Sequence, residues 1–151
     1  MHILIVVILV MIDQITKVIA QRTLMFSEPI ILVNNFLQLN YVENRGAAFG
    51  ILQNQRIFFI VMTIAVIGAI VYFRYKSNEL NRSSQVIFDF IIAGAIGNLI
   101  DRIRLTYVID FIDVNFWGFY DFPVFNFADV FLVCSTILLS LLIILDKHEL
   151  G

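Results

Sequence analysis

Four long apolar stretches, separated by polar segments, dominate the pattern of hydrophobic and polar positions along the chain. They occupy residues 3–20, 57–73, 86–103 and 127–145. Each approaches the roughly 20 apolar residues that an α-helix needs to cross the hydrocarbon core of a bilayer. The pattern therefore predicts an all-α membrane protein, in which four transmembrane helices form a single domain over residues 1–151. An even number of spans places both termini on the same side of the membrane.

Two of the polar segments have patterns of their own. Between the first and second stretches, Leu37 to Tyr41 alternate between apolar and polar side chains, which predicts a half-buried β-strand. Between the third and fourth stretches, residues 104–125 are crowded with aromatic side chains. Aromatic residues at this density are typical of the membrane–water boundary. We therefore expect residues 104–125 to lie along the membrane surface.

The composition excludes a soluble globular protein. Hydrophobic residues make up 60% of the chain, charged residues 15%, and the mean hydropathy is +0.91, whereas roughly a quarter of a soluble domain is charged. The net charge of -2, with scattered basic residues, offers no surface for nucleic acid. The basic residues divide too evenly between the two sides to fix the orientation. The first stretch has no basic leader and no small-x-small cleavage site, which favours a retained helix over a cleaved signal peptide.

The polar residues of the apolar stretches gather at one end of the predicted bundle. Polar groups inside a membrane are costly and mark functional sites by default. In an up-down-up-down bundle, one face of the membrane receives the following positions: Asp13, Lys17, Asn98, Asp101, Arg102, Asp110, Asp113, Asn126 and Asp129. The polar segment that contains Asn44 returns to the same face. A single site at one depth is the simplest interpretation.

Helical spacing separates structural from chemical candidates within this set. Asp13 and Lys17 are four residues apart and can pair on one helix face, as can Asn98 with Asp101 and Arg102. For these residues, helix–helix hydrogen bonding and a functional role remain open alternatives. Asp89, near the other end of the third stretch, is expected at the interface and receives no role.

Asp110 and Asp129 have no basic residue three or four positions away, so their carboxylates need another explanation. One explanation is that the two carboxylates share a proton, because two close carboxylates cannot both ionise easily. Such a pair is an acid and a base at the same pH, and it can direct a water molecule at an amide carbonyl. Asp113 rivals Asp110, although the Val-Ile-Asp-Phe context favours Asp110.

No other catalytic set competes with the two carboxylates. His2 and His148 lie at the ends of the chain, and the serine residues have no nearby base. No set of Cys and His ligands for zinc exists in the sequence. We therefore expect neither a metal nor an organic cofactor.

Five segments resemble the lipoprotein signal peptidase family, the type II signal peptidases of bacteria. In chain order they are DQITK (13–17), ENRGAAFG (43–50), GAIGNLIDR (94–102), VIDFID (108–113) and FPVFNFAD (122–129). Any one of them alone would be weak, but five in the family's order, over nearly the whole chain, are specific.

The resemblance implies an aspartic endopeptidase that removes the signal peptide of a prolipoprotein just before a cysteine that already carries a diacylglyceryl group. Asp110 and Asp129 match the catalytic pair. The residues that match polar positions around the substrate and the pair are Asn44, Asn98, Arg102 and Asn126. Asp13, Lys17 and Asp101 match positions that look structural.

The resemblance also implies a location and an outer architecture. The family has its termini in the cytoplasm and its site at the outer face of the bacterial cytoplasmic membrane. Residues 31–49 correspond to a small extracytoplasmic β-cradle, and the aromatic segment corresponds to a surface-lying helix. The expected partners are the diacylglyceryl-modified prolipoprotein and membrane lipid, and the chain is expected to act as a monomer.

Two other functions fit a polar cluster in a small membrane protein. A proton-coupled transporter or channel would use the carboxylates as a relay, but a relay places ionisable groups at successive depths, and the second stretch has none. A non-catalytic scaffold would tolerate the change of Asp110 and Asp129 to asparagine. Both alternatives are weaker than the peptidase.

Overall fold

The computed structural model describes residues 2–47, 51–77 and 80–145 and contains four helices and a small sheet. In chain order, the elements are α1 (His2–Leu24), β1 (Ile30–Val33), β2 (Leu37–Asn44), α2 (Arg56–Lys76), α3 (Arg82–Arg104), β3 (Val108–Val114) and α4 (Phe127–Ile144). The four predicted helices are present, each close to its predicted bounds. The last residues of the expected cradle, 48 and 49, and the carboxyl terminus lie outside the described residues.

Three of the helices have the character of membrane spans. Among the described residues, α1, α2 and α4 are long and apolar enough to cross a membrane. Helix α2 buries none of its side chains within the protein, and Ile57 is 76% exposed. Apolar side chains that face outward in this way require lipid as their solvent.

Helix α3 lies at the centre of the bundle and packs against the other three helices. Two glycines permit the closest contacts. A Cβ atom at Gly94 would lie 2.4 Å from the carbonyl oxygen of Ala128 in α4, and one at Gly97 would lie 2.5 Å from Oδ2 of Asp13 in α1. Both distances are too short for any side chain. Glycine at these two positions therefore lets α4 and α1 approach α3 closely.

The three strands form an antiparallel sheet in the order β1-β2-β3. The predicted strand around Leu37 is confirmed as part of β2, the central strand. The register places Val42 opposite Asp110 and Asn44 opposite Val108. A bridge between Ile112 and Phe125 then returns the chain to the start of α4. The end of β2, the middle of β3 and the first turn of α4 therefore meet.

The surface-lying helix expected in the aromatic segment is absent from the structure. Residues 108–114 form β3, where β-branched and aromatic side chains favour a strand. The chain then makes a tight turn, in which Trp117 has a φ of 50° and Gly118 a φ of 80°. Trp117 stacks on Phe36 with ring centroids 5.0 Å apart. The aromatic density thus reflects a strand and a turn packed on the β1–β2 hairpin, and the helical assignment was wrong.

Candidate active site

Asn126 joins the two carboxylates that the sequence singled out. It caps α4, with its Oδ1 accepting the backbone N–H of Asp129 at 3.0 Å, while Oδ2 of Asp129 accepts the backbone N–H of Asn126 at 3.1 Å. This reciprocal arrangement is a capping box, and it fixes the Asp129 carboxylate on the first turn of the helix. The remaining amide group of Asn126 donates to Oδ1 of Asp110 at 2.6 Å. A single residue therefore binds both carboxylates.

Asp110 is held from its other side by the end of β2. Nδ2 of Asn44 donates to Oδ2 of Asp110 at 2.9 Å, and Oδ1 of Asn44 accepts the backbone N–H of Gly46 at 2.9 Å. The second bond fixes which way the Asn44 carboxamide points. Each oxygen of Asp110 thus has a neutral donor.

The Asp110 carboxyl is only 2% exposed, and this environment changes its acidity. Burial, followed by the negative charge of Asp129, raises the pKa of Asp110 from 3.8 to about 7, although hydrogen bonds from Asn44 and Asn126 oppose the increase. Burial disfavours the charged form because a carboxylate loses its water of hydration. Asp110 is therefore poised to hold or release a proton near neutral pH.

Asn98 connects Asp129 to a buried cation. Its Nδ2 donates to Oδ1 of Asp129 at 2.8 Å, and its Oδ1 accepts from the Lys17 ammonium at 2.8 Å. The same ammonium lies 3.0 Å from Asp13 and 3.0 Å from Asp101. The predicted pair between Asp13 and Lys17 is confirmed.

The ionic group around Lys17 also ties the elements together. Oδ1 of Asp13 accepts the backbone N–H of Ala128 in α4 at 3.0 Å. Oδ2 of Asp101 accepts the backbone N–H of Ile109 in β3 at 3.2 Å, and Oδ1 accepts from Gln14 at 3.0 Å. Gln14 was missed by sequence reasoning, because the only signal was its place beside Asp13.

Arg102 does not take the partner that helical spacing suggested. Its guanidinium donates to the carbonyl of Gly46 at 3.2 Å and lies 4.7 Å from the centre of the Phe59 ring. Arg56 donates to the carbonyl oxygens of Arg102 and Ile103, both at 2.7 Å, and so caps the end of α3. Asn98 likewise bonds across to other elements, so the expected pairing of Asn98 within its own helix was wrong.

The carboxylates open onto a cavity of about 430 Å³ between the helices. Asp110 and Asp129 lie in its wall together with Asn44, Asn98 and Arg102. Most of the remaining wall is apolar and comes mainly from α2, α4 and the approach to α4: Met62, Val66, Phe122, Val124, Phe125, Leu132 and Val133. The carboxylates thus face a space that suits an apolar ligand.

A second cavity, of about 610 Å³, lies on the other side of Asp110 and is more polar. Its wall includes Gln38, Asp113 and Asp121. Asp113 accepts a hydrogen bond from Gln38 at 2.7 Å, and its recorded bonds do not reach Asn126 or Asp129. This geometry favours Asp110 over Asp113 as the partner of Asp129.

Asp89, which is expected at the membrane interface, is fully buried within the protein. Oδ1 accepts from Arg74 at 2.6 Å, and Oδ2 lies 2.5 Å from Nδ1 of His2. His2 lies 87 positions away in the sequence, so no local spacing could have revealed it. In the part of the chain that the structure describes, no group of three or more His, Cys, Asp or Glu side chains could hold a metal ion.

Comparison with known proteins gives this arrangement a family. Residues 5–145 match the family model of signal peptidase (SPase) II. The chain is 48% identical over 145 residues to a lipoprotein signal peptidase of Caldanaerobacter subterraneus subsp. tengcongensis, covering 95% of this chain and 96% of that protein. It is 42% identical over 147 residues to a lipoprotein signal peptidase of Staphylococcus aureus strain Newman, covering 97% of this chain and 90% of that protein.

A solved structure agrees with the sequence relatives. A protein described as a bacterial membrane enzyme superposes with a TM-score of 0.89 at 39% identity, covering 99% of this chain and 91% of the other. A sequence identity of 39% indicates a shared family as well as a shared fold. The chain, with a buried and a half-buried carboxylate facing an apolar cavity, belongs to the signal peptidase II family.

Proposed function

We propose that this membrane peptidase removes the signal peptide of diacylglyceryl-modified prolipoproteins, cutting just before the lipidated cysteine, with Asp110 and Asp129 as its catalytic pair. The observation that carries the proposal is the bridge made by Asn126. It binds Asp110 with its side chain and Asp129 with its backbone, at the wall of an apolar cavity. The relatives named lipoprotein signal peptidase support the choice of substrate.

In this mechanism Asp129 is the base and Asp110 the acid. Asp129 removes a proton from a water molecule, which then attacks the scissile carbonyl carbon. Asp110, whose pKa is raised to about 7, carries the proton at neutral pH, hydrogen-bonds the carbonyl oxygen and later protonates the leaving nitrogen. The apparent pKa values of such a pair cannot be assigned to one carboxylate each, because the two groups act on one another.

The neighbouring side chains have supporting roles in the proposal. Asn44 and Asn126 hold the two oxygens of Asp110, and Asn98 holds Asp129. Arg102 lies in the cavity wall beside both carboxylates, where its charge can bind polar groups of the substrate. Asp13 anchors α1 to α4, and Asp101 anchors α3 to β3, because each carboxylate accepts a backbone N–H of the other element.

The cavity explains why a lipid-bearing substrate suits this site. Acyl chains and an apolar signal helix can enter from the bilayer between α2 and α4, while the polar cavity beyond Asp110 can receive the hydrated polypeptide that follows the cysteine. A soluble peptidase would have to extract the acyl chains from the bilayer, which costs about 0.8 kcal/mol for each methylene group.

Four spans, including the more polar α3, give the proposed topology in the bacterial cytoplasmic membrane. Both termini then lie in the cytoplasm, and the sheet forms a β-cradle on the outer face. The chain is proposed to act as a monomer. The comparisons give no support to a transporter or channel.

The test uses the purified protein in detergent with a prolipoprotein that does or does not carry the diacylglyceryl group. We expect release of the signal peptide from the modified substrate, and a kcat/KM lower by roughly 100-fold for the unmodified one, because acyl burial supplies much of the binding. Asp110→Asn should lower kcat by about 10³-fold or more, because asparagine cannot donate a proton.

Equal turnover of the two substrates would contradict the proposed substrate class. Near wild-type turnover by folded Asp110→Asn would contradict the assignment of Asp110 as a catalytic residue. Folding is checked by size-exclusion chromatography and thermal unfolding.

A further inference from the structure

Lys17 is a buried cation for which the proposed chemistry has no step. Its side chain is 1% exposed, and two of its contacts are the ion pairs with Asp13 and Asp101. The pair with Asp13 lies within α1, and the pair with Asp101 attaches α1 to α3. The third contact, 2.8 Å to Oδ1 of Asn98, leads instead toward Asp129.

This third contact determines which way the Asn98 carboxamide points. An ammonium group can only donate hydrogen bonds, so the oxygen of Asn98 must face Lys17. The amide group of Asn98 must then face Asp129, to which it donates at 2.8 Å. The remaining contact, from Nδ2 of Asn126 to the same oxygen, is longer, at 3.2 Å. Without Lys17, the carboxamide could turn over and present its oxygen to the Asp129 carboxylate.

The two orientations have opposite effects on the base. An N–H group directed at a carboxylate stabilises its charged form, whereas a carbonyl oxygen in the same place repels it and favours protonation. We propose that Lys17 is a positioning residue, which holds the Asn98 carboxamide with its amide group on Asp129 and thereby keeps Asp129 charged as the base. The inference rests on the proposed function, because that function makes Asp129 the base.

Other charged groups act on Asp129 but cannot replace this contact. On the elements packed around it, the charged side chains are Asp13 on α1, Asp101 and Arg102 on α3, and Asp110 on β3. Within the described residues, the recorded side-chain partners of Asn98 are Lys17, Asn126 and Asp129. Lys17 is the cation among these partners, so the orientation depends on it.

The test measures kcat, KM and the pH–rate profile of Lys17→Met in the full-length protein with diacylglyceryl-modified prolipoprotein. We expect kcat to fall about 10- to 100-fold, the range for one hydrogen bond to a charged group. KM should change by less than about twofold, since Lys17 is buried and does not line either cavity beside the carboxylates. The acidic limb of the profile should move up by about one pH unit, because Asp129 loses what stabilises its charged form.

A double-mutant cycle with Asn98→Ala tests whether Lys17 acts through Asn98. We expect Lys17→Met/Asn98→Ala to be no slower than Asn98→Ala alone. Multiplication of the two single losses would overturn the proposal, and so would an acidic limb that does not move in folded Lys17→Met.

Lys17→Met leaves two buried carboxylates without their cation and can fail to fold. In that case, kcat, KM and the pH–rate profile are measured for the charge-balanced Lys17→Met/Asp101→Asn variant and compared with those of Asp101→Asn. Arg74→Met is the matched control, since it removes a half-buried cation that pairs with buried Asp89 near the other end of α3. It should lower stability and leave the acidic limb in place.

The two proposals fail in different ways. Wild-type turnover by Asp129→Asn would refute the proposed function. With Asp129→Asn inactive, an unmoved acidic limb in Lys17→Met would refute only the role of Lys17.

Discussion

Helix α3 has a buried ionic cluster at each end, and the two clusters differ in their balance of charge. At the amino-terminal end, one carboxylate, Asp89, meets Arg74 and His2. At the carboxyl-terminal end, four carboxylates meet two cations. The carboxylates are Asp13, Asp101, Asp110 and Asp129, and the cations are Lys17 and Arg102.

The difference shows what separates a structural cluster from a chemical one. Each oxygen of Asp89 has a basic side chain beside it, so the carboxylate can remain charged and hold the helices together. In the other cluster, full ionisation would leave an excess of negative charge away from water, which is costly. One proton reduces that excess from two charges to one, and the pKa of Asp110, raised to about 7, indicates where the proton resides. A proton held in this way is available for chemistry.

The largest effect among the supporting residues is expected from the helix caps. Asn126 caps α4 and Asn81 caps α3, where it accepts the backbone N–H of Ser84 at 2.8 Å. Each change to alanine should cost about 1 kcal/mol of stability through the lost cap. Asn126→Ala should also lower kcat by about 10²- to 10³-fold, because the side-chain bond to the Asp110 carboxylate is lost together with the side-chain half of the capping box that fixes Asp129.

Asn81→Ala is the matched control, because it removes a helix cap far from the carboxylates. Turnover per folded molecule should stay within about twofold of wild type. The measurement is kcat with a diacylglyceryl-modified prolipoprotein, beside thermal unfolding. Equal losses of activity in Asn126→Ala and Asn81→Ala would contradict the distinction between a chemical cluster and a structural cluster at the ends of α3.

A smaller effect is expected in the pH dependence of stability. The pKa of Asp110 is higher in the folded protein, about 7, than its ordinary value of 3.8, so the folded state holds the proton more tightly. The resulting stabilisation is fully present below pH 3.8 and is lost as the pH rises through about 7. The melting temperature of the wild type should therefore fall over this interval relative to that of Asp110→Asn.

Thermal unfolding of both proteins in the same detergent checks this expectation. Asp110→Asn lacks the titrating carboxyl group, so its melting temperature should depend less steeply on pH. Parallel curves for the two proteins would show that Asp110 does not carry a proton that the fold retains.

The sequence predicted the features that depend on local spacing. Apolar length located the helices, spacing of four residues located the pair of Asp13 and Lys17, and the absence of a basic neighbour identified Asp110 and Asp129. These signals survive folding because one helix turn or one span decides them.

Contacts between distant segments could not be predicted in the same way. His2 contacts Asp89, which lies 87 positions away in the sequence. Asn98 hydrogen-bonds Lys17 and Asp129 rather than side chains of its own helix. The expected surface helix is a strand and a turn, because pairing of β3 with β2 overrides the aromatic pattern. Each of these features is determined by contacts between distant segments, which local spacing does not reveal.

The most direct measurement compares the same substitution at the two ends of α3. Asp129→Asn and Asp89→Asn each replace one carboxylate of an ionic cluster by an amide. Both variants are assayed for cleavage of a diacylglyceryl-modified prolipoprotein per folded molecule. We predict that Asp129→Asn loses at least about 10³-fold in kcat, because the base is gone, whereas Asp89→Asn loses stability and keeps kcat within about tenfold. Cleavage by Asp129→Asn at the rate of Asp89→Asn would contradict the account.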